Sequence, residues 1–260
     1  MSENTQPVNI PNDLKTELYR DLIQPSARHI GRWVGGFCGK LDKYAIQMEM
    51  ENNAAVTSIQ EHYQSIPEQF RTSPKPQIAY NAEQGFLLST GQPDLQALFV
   101  NLMKSCCDSR TASGVLPSFV TILQQLTSDE ARLLEYCYKT FINDHALPVL
   151  QIRSQSNQES KGYLNYLSHF TNIGVLADCE YPNNTPVYLA NLERLGTISV
   201  SYDKAYVDTQ QYDYLKESET AQKIKQEIEA LGRTASFKHG MIELTPFGLG
   251  LCKACSMDVA

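Results

Sequence analysis

The residues best suited to chemistry in this sequence are its cysteines, its histidines and a C-terminal group of tyrosines. Cys252 and Cys255 form a CxxC pair, a spacing found in both metal sites and redox sites. The sequence has no second ligand pair at zinc-finger spacing, and this pair falls on a predicted helix. We therefore interpret both residues as core cysteines, and we predict no bound metal and no other cofactor.

The other candidate nucleophiles and acid–base groups are isolated from one another. Cys106 and Cys107 have apolar neighbours and no nearby basic residue to lower a thiol pKa. The histidines form no metal-binding pair, and no phosphate-binding loop or hydrolase motif occurs. We predict no catalytic residue, although a site assembled from distant residues stays open. The five histidines are His29, His62, His145, His169 and His239.

Four tyrosines in the C-terminal third could stack nucleobases, but few basic residues surround them. We expect them instead to pack a helix of this region. They are Tyr202, Tyr206, Tyr212 and Tyr214. The formal net charge is −7, with acidity in both halves of the chain. That charge excludes a strongly basic nucleic-acid-binding domain, so nucleic-acid binding should be weak at most.

Composition favours a folded cytoplasmic protein. The apolar fraction of 42% supports a packed core. No stretch of about 20 apolar residues occurs, and the polar N-terminus does not resemble a signal peptide, so we expect no stable membrane insertion. An odd number of irregularly spaced cysteines suits a reducing cytosol better than a disulfide framework.

The N-terminal half predicts helices. Residues 1–12 are expected to form a flexible tail, and 13–150 a helical domain. Apolar residues from Ala27 to Ile66 recur at alternating steps of three and four, which predicts a long helix, or a helical hairpin that breaks at Asn52-Asn53. Glycine recurs at every fourth position, at Gly31, Gly35 and Gly39. Such a row of small residues would permit close packing on a neighbouring helix, within the chain or in a second copy.

The next hundred residues alternate between a loop and further helices. The prolines in 67–92 predict a loop with at most short helices. Helices are predicted over Asp94–Cys107, Pro117–Leu126 and Ser128–Asn143, the last with a capping box formed by Thr127 and Glu130. Residues 151–160 are polar and aperiodic, so we interpret them as a linker between two domains.

The C-terminal domain, 161–260, is predicted to be winged-helix-like. The predicted order is a helix over Tyr163–Leu176, a short helix over Thr185–Leu195, a strand over Thr197–Tyr202, an inserted helix over Tyr212–Leu231, strands over Ser236–Lys238 and Met241–Thr245, and a last helix over Pro246–Met257. His239-Gly240 is the predicted turn between the two late strands, because glycine accepts positive φ. The fold class is therefore mainly α, with a C-terminal winged-helix-like α+β domain.

A DNA-reading winged helix would place several basic or amide side chains on its second helix. The helix predicted over Thr185–Leu195 has Arg194, next to Glu193, and Asn191. Winged helices also serve as protein-binding modules, and we favour that use here.

Several strings in the sequence resemble the abortive-infection alpha (Abi-alpha) family. They are Tyr19-Arg-Asp-Leu-Ile-Gln-Pro-Ser26 with Ile30-Gly31, Leu98-Phe-Val-Asn-Leu-Met103, Leu116-Pro-Ser-Phe-Val120 with Leu126, Asn191-Leu-Glu-Arg-Leu-Gly196, and Ile242-Glu-Leu-Thr-Pro-Phe-Gly248 with Cys252 and Cys255 after it. The resemblance extends, in order, over residues 17–256. Charged residues interrupt the glycine-rich stretch that follows Ser26, which weakens any membrane role.

The resemblance implies a bacterial protein of antiviral defence, and it transfers no catalytic residue. We interpret the chain as a non-enzymatic phage-defence protein that acts through protein–protein interaction, with a protein partner or with itself as an oligomer. A winged-helix DNA-binding regulator is the first alternative. An enzyme with an unfamiliar site is the second.

Overall fold

Proline sets the first turn of several helices in this chain. Helices begin at Pro76, Pro93, Pro117 and Pro246. Proline suits this position because its fixed φ is helical and its missing N–H would have no partner in the first turn. The positions of these prolines in the sequence therefore fix where the helices start.

The computed structural model describes residues 47, 49–144, 146–156 and 162–257. Contacts divide the chain into Met1–Glu51 and Asn52–Ala260, and the second unit is described below. Its helices are α1 (49–65, of which 52–65 lie in this unit), α2 (Pro76–Leu88), α3 (Pro93–Cys106), α4 (Pro117–Leu123), α5 (Ser128–Asp144), α6 (Ile173–Leu176), α7 (Thr185–Arg194), α8 (Asp213–Lys216), α9 (Glu219–Ala230) and α10 (Pro246–Ala254). No helix among the described residues is long and apolar enough to cross a membrane.

The strands form one antiparallel sheet in the order β2-β1-β4-β3. They are β1 (Leu147–Gln155), β2 (Tyr163–Phe170), β3 (Ile198–Ser201) and β4 (Thr234–Leu244). β1 pairs with β4 along its whole length, from Leu147 opposite Ile242 to Gln155 opposite Thr234. The chain is therefore mainly helical, with a four-stranded antiparallel sheet.

The sheet has apolar clusters on both faces. Leu147 and Val149 of β1 belong to the main core, to which helices α2 to α7 and α10 also contribute. Leu150 belongs to a second cluster, with Tyr212 and Leu215. Because successive side chains of a strand point to opposite faces, β1 is buried on both sides. A strand in this position has no alternation of polar and apolar residues, which is why the sequence did not reveal it.

Two predictions around residue 155 are wrong. Residues 151–155 belong to β1, not to a linker, and Gln151 is buried, with its amide donating to Ser168 Oγ at 3.2 Å. The helix predicted over Tyr163–Leu176 is strand β2 followed by the short α6. Partners on neighbouring strands satisfy the polar groups of this segment, and those partners are distant in sequence.

The hairpin predicted at His239-Gly240 is also wrong, because β4 runs without interruption from Thr234 to Leu244. Instead of forming a turn, Gly240 allows Ser201 and Tyr202 to pack closely against β4. A Cβ at this position would lie 2.6 Å from the carbonyl oxygen of Ser201 and 2.6 Å from Cδ1 of Tyr202. The predicted wing is thus absent from these residues.

Most helices predicted from capping and periodicity are found close to their predicted bounds, but the one predicted over Tyr212–Leu231 is divided into α8 and α9. In the capping box of α5, the Glu130 N–H donates to Thr127 Oγ1 at 3.2 Å, and the Thr127 N–H donates to Glu130 Oε2 at 2.7 Å. The prediction for 67–92 was incomplete, because α2 occupies half of that segment. Ile78, Ala82 and Phe86 form its buried face.

Residues on both sides of Asn52-Asn53 are helical, so the hairpin break considered there is not seen. The predicted tail 1–12, the glycine row at Gly31, Gly35 and Gly39, and the stripe up to Tyr44 lie outside the described residues. So do His29, His145 and 157–161.

Candidate functional site

An apolar groove lies between α1, α2 and α3, and its volume is about 420 Å³. Two of its walls have helical spacing. On α1 the lining residues are Asn52, Ala55, Val56 and Ile59, and on α2 they include Pro76, Ala79, Tyr80 and Glu83. Both sets follow the i, i+3, i+4, i+7 pattern, so each helix presents one face over about 10 Å.

Aromatic rings of α2 and α3 line the base of the groove, and its rim is exposed. Phe86 and Phe99 are buried, whereas 43% of Val56 and 64% of Tyr80 remain exposed to solvent. Ala79 and Ala82 also line this face of α2, and small side chains there leave space between the helices. The groove is thus an open, concave, apolar surface.

Few ionisable groups line the groove. Glu83 is its one carboxylate, and Tyr80 contributes a phenol. Catalysis of the common hydrolytic or transfer types uses a nucleophile, a base and a stabiliser held within hydrogen-bonding distance. The lining of this groove offers no such set, but it suits burial of an apolar partner surface.

The predicted core cysteines are buried. Cys252 on α10 and Cys255 directly after it are fully inaccessible, and Cys106 and Cys137 are buried in the same cluster. Burial raises the pKa of Cys106 to about 11 and that of Cys137 to about 12. Thiols with raised pKa values are weak nucleophiles at neutral pH. Among the described residues, no group of histidine, cysteine or carboxylate side chains is arranged to hold a metal ion.

Of the four tyrosines that the sequence singled out, Tyr212 is buried, Tyr202 and Tyr206 are half-buried, and Tyr214 is exposed. Tyr212 is fully buried, its ring stacks on His239 at 4.1 Å, and its hydroxyl donates to the Gly240 carbonyl at 3.0 Å. The hydroxyl of Tyr206 donates to the Ala146 carbonyl at 2.6 Å. Tyr202 accepts a hydrogen bond from the N–H of His169 at 2.8 Å.

Three basic residues of the C-terminal hundred residues each contact other side chains of the protein. Arg194 donates to Asn191 Oδ1 at 2.7 Å and to Gln125 Oε1 at 3.1 Å. Lys204 lies 2.7 Å from a carboxylate oxygen of Glu243. Lys238 lies 3.4 Å from Asp203.

The start of α5 ties the middle of the chain to α7. Asp129 is buried and accepts hydrogen bonds from the backbone N–H groups of Glu180 and Tyr181 at 2.8 and 2.9 Å, and from the Tyr188 hydroxyl at 3.1 Å. Glu130 accepts one from Asn191 Nδ2 at 2.6 Å. The polar residues in the string Asn191–Gly196 therefore hold helices together.

Sequence reasoning identified one wall of the groove and missed another. The predicted apolar stripe includes Ala55 and Ile59, which line the α1 wall. The α2 wall was predicted to be a loop because of its prolines. Pro76 at the first position, with Ile78, Ala82 and Phe86 at four-residue spacing, is the signal that indicates this helix.

Comparison with known proteins defines the family. The family model for abortive infection alpha matches residues 47–255. The chain belongs to the abortive infection alpha family. The resemblance found in the sequence is thereby confirmed.

A solved structure of an uncharacterized protein from the hydrocarbon-degrading marine bacterium Alcanivorax borkumensis SK2 is similar at 22% identity and a TM-score of 0.37. The similarity covers 54% of this chain and 92% of that chain. No curated protein matches this sequence.

Proposed function

We propose that this chain is a phage-defence protein that acts by binding a partner protein in the groove between α1, α2 and α3. Membership of the abortive infection alpha family supports the role in defence. The groove itself is the observation that carries the mechanism. Helix-in-groove recognition uses an apolar channel of this kind, into which a partner helix inserts side chains at i, i+3, i+4 and i+7.

The proposed occupant is a short amphipathic helix with an apolar face and a basic residue at its edge. Two turns of such a helix match the length over which α1 and α2 present their walls. Glu83 supplies a carboxylate at the groove, and the chain is acidic overall, with a formal net charge of −7. A basic partner is therefore attracted, and an acidic one is repelled.

Two observations favour protein binding over the alternatives. A DNA-binding regulator needs a basic face for phosphates, but the chain is acidic overall, and Arg194, Lys204 and Lys238 each have acceptor side chains beside them. An enzyme needs converging ionisable groups, and the groove is lined by one carboxylate.

The experiment is a plating assay with a panel of phages on cells that express wild type, the double variant V56K/Y80K, or L88K. Val56 and Tyr80 are exposed at the rim, and lysine there repels a basic helix without burying a charge. Leu88 is also exposed and lies on α2, but it does not line the groove, so L88K is the matched control. We expect V56K/Y80K to lose protection at unchanged melting temperature, and L88K to keep it.

Binding is measured separately with a fluorescein-labelled peptide helix that has leucine at i, i+3, i+4 and i+7 and lysine on its other face. We expect at least about tenfold weaker binding to V56K/Y80K than to L88K, equivalent to a loss of about 1.4 kcal/mol. Full protection by a folded V56K/Y80K variant contradicts the proposal. If the double variant instead changes only the oligomeric state, the occupant is a second copy of the chain.

A further inference from the structure

A second pocket lies beside the end of β2, and its volume is about 360 Å³. Side chains from the end of β2, from α6 and α7, and from the segment joining α8 to α9 line it. This volume is within the range of small-molecule sites, about 300–1,000 Å³. None of its lining residues belongs to the groove between α1, α2 and α3.

A bulge in β2 shapes the apolar side of this pocket. Leu167 lies opposite Ile152 and Phe170 lies opposite Leu150, so three steps along β2 match two along β1. His169 takes up the extra residue with a φ of 60°, a left-handed conformation that is uncommon for histidine. In a regular strand, residues three apart face opposite sides, but here Leu167 and Phe170 both line the pocket.

The polar lining includes two hydroxyl groups whose hydrogens are already donated within the protein. The hydroxyl of Thr171 donates to the Pro148 carbonyl at 3.1 Å, and the hydroxyl of Ser218 donates to the Leu215 carbonyl at 2.7 Å. A hydroxyl carries one hydrogen, so these oxygen atoms offer only lone pairs to an occupant.

Asn172 is the residue that points most directly to a ligand. Its Oδ1 atom is buried and has no hydrogen-bond partner, and the residue lines the pocket. It occupies the position that precedes α6, where asparagine often caps a helix, yet its side chain makes no cap hydrogen bond. A buried amide oxygen without a partner is unfavourable, and rotation about χ2 can turn it toward an occupant.

The lining carries no formal charge at neutral pH. It contains no aspartate, glutamate, lysine, arginine or histidine. Tyr214 is its ionisable group, and burial, reinforced by neighbouring tyrosines, raises the pKa of Tyr214 to about 12, so the phenol is neutral. A charged ligand would lose hydration without gaining a counter-charge.

We propose that this pocket binds an uncharged small molecule with a flat ring and several N–H and O–H donors, the chemistry of a nucleoside. The ring packs on Phe170 and Leu215, and its donors meet the acceptor oxygens of Asn172, Thr171 and Ser218. This inference is independent of the docking groove.

The test is a ligand-observed NMR titration of the full chain with adenosine up to millimolar concentration. Adenosine 5′-monophosphate adds a negative charge to the same ring, and glucose supplies hydroxyl donors without a flat ring. The variant V175W narrows the pocket, and because 68% of Val175 is exposed, the substitution leaves the core intact. We expect adenosine to bind wild type and not V175W, and to bind more tightly than either comparison compound.

The variant N172A separates a ligand-binding role from a structural one. Because the Asn172 oxygen has no partner, N172A should leave the melting temperature unchanged or raise it, while adenosine binding weakens about three- to tenfold. N143A, which alters an exposed asparagine on α5, should change neither.

Three outcomes overturn the proposal. They are a failure of adenosine to bind wild type, binding of the monophosphate or glucose at least as tight as that of adenosine, and binding that survives in a folded V175W variant. A lower melting temperature in N172A would assign that side chain a structural role and would also contradict it.

Discussion

Alanine substitution at Gly248 tests how closely α10 packs against the turn that precedes β3. A Cβ on Gly248 would lie 1.9 Å from the carbonyl oxygen of Thr197 and 2.7 Å from its carbonyl carbon. These are backbone atoms. They are held in place because the Thr197 N–H donates to the Leu192 carbonyl at 3.1 Å and the Thr245 N–H donates to the Thr197 carbonyl at 3.1 Å. The turn therefore cannot retreat without losing hydrogen bonds.

The expected effect follows from two opposing contributions. Overpacking costs about 1–3 kcal/mol, and a hydrogen bond lost when α10 shifts costs about 1 kcal/mol more. Alanine recovers up to about 1 kcal/mol of helix propensity. The net destabilisation of G248A is thus about 1–3 kcal/mol, which lowers the melting temperature by roughly 2–12 °C in a domain of this size.

Gly250 provides the matched control, because it lies on the same helix. A Cβ there would meet only Phe119 Cζ, at 3.4 Å, which is an ordinary contact. G250A gains the same helix propensity without the clash, so it should raise the melting temperature by up to about 4 °C. Differential scanning calorimetry of both variants is the assay. Shifts of equal size and sign would refute the reasoning, because helix propensity alone would then account for both.

Two further predictions concern buried polar groups. Burial is the larger and the charge of Lys216 the smaller of two effects that lower the pKa of His239 in the folded protein. As the pH falls, His239 is therefore protonated first in the unfolded chain, near the ordinary histidine pKa of about 6.5. The free energy of unfolding should therefore have its full value above that pH and decrease below it. Between about pH 7.5 and 5.5 the melting temperature of H239F should fall less than that of wild type. In urea denaturation, D129A should lower the free energy of unfolding by about 2–4 kcal/mol, because it removes the acceptor for two backbone N–H groups. D94A breaks only the partly exposed ion pair with Arg132, so it should lower that free energy by less than about 1 kcal/mol. Equal losses in the two aspartate variants would contradict this assignment.

Polar residues in the strings that suggested the family form hydrogen bonds within the fold. Thr245 and Gly248 belong to the string that suggested the family, and in the structure Thr245 Oγ1 accepts from the Gly248 N–H at 2.9 Å while α10 packs on the turn at Thr197. Asn191 and Arg194 belong to another, and they bind Glu130 and Gln125 on neighbouring segments. These hydrogen bonds join neighbouring segments of the fold.

The sequence by itself determined the helices whose signals are local. Each of these signals, a capping residue, a proline in the first turn or an apolar face, lies within the helical segment itself. Helices α3, α4, α5 and α10 were therefore predicted close to their observed bounds. The apolar stripe through Ala55 and Ile59 likewise indicated the face of α1 that lines the groove.

The sequence predicted the strand at Thr197–Tyr202, which is β3, but only the tertiary structure decided β1, β2, the strand pairing and the two cavities. β1 is recognised by its pairing with β4, where Arg153 lies opposite Ser236, more than 80 positions away, and by burial on both faces, which removes the alternating pattern. Gly240 looked like a turn because glycine permits positive φ, but its role is to admit Tyr202. The lone acceptor of Asn172 and the bulge at His169 depend on which segments meet around them, and spacing along one chain carries no information about that.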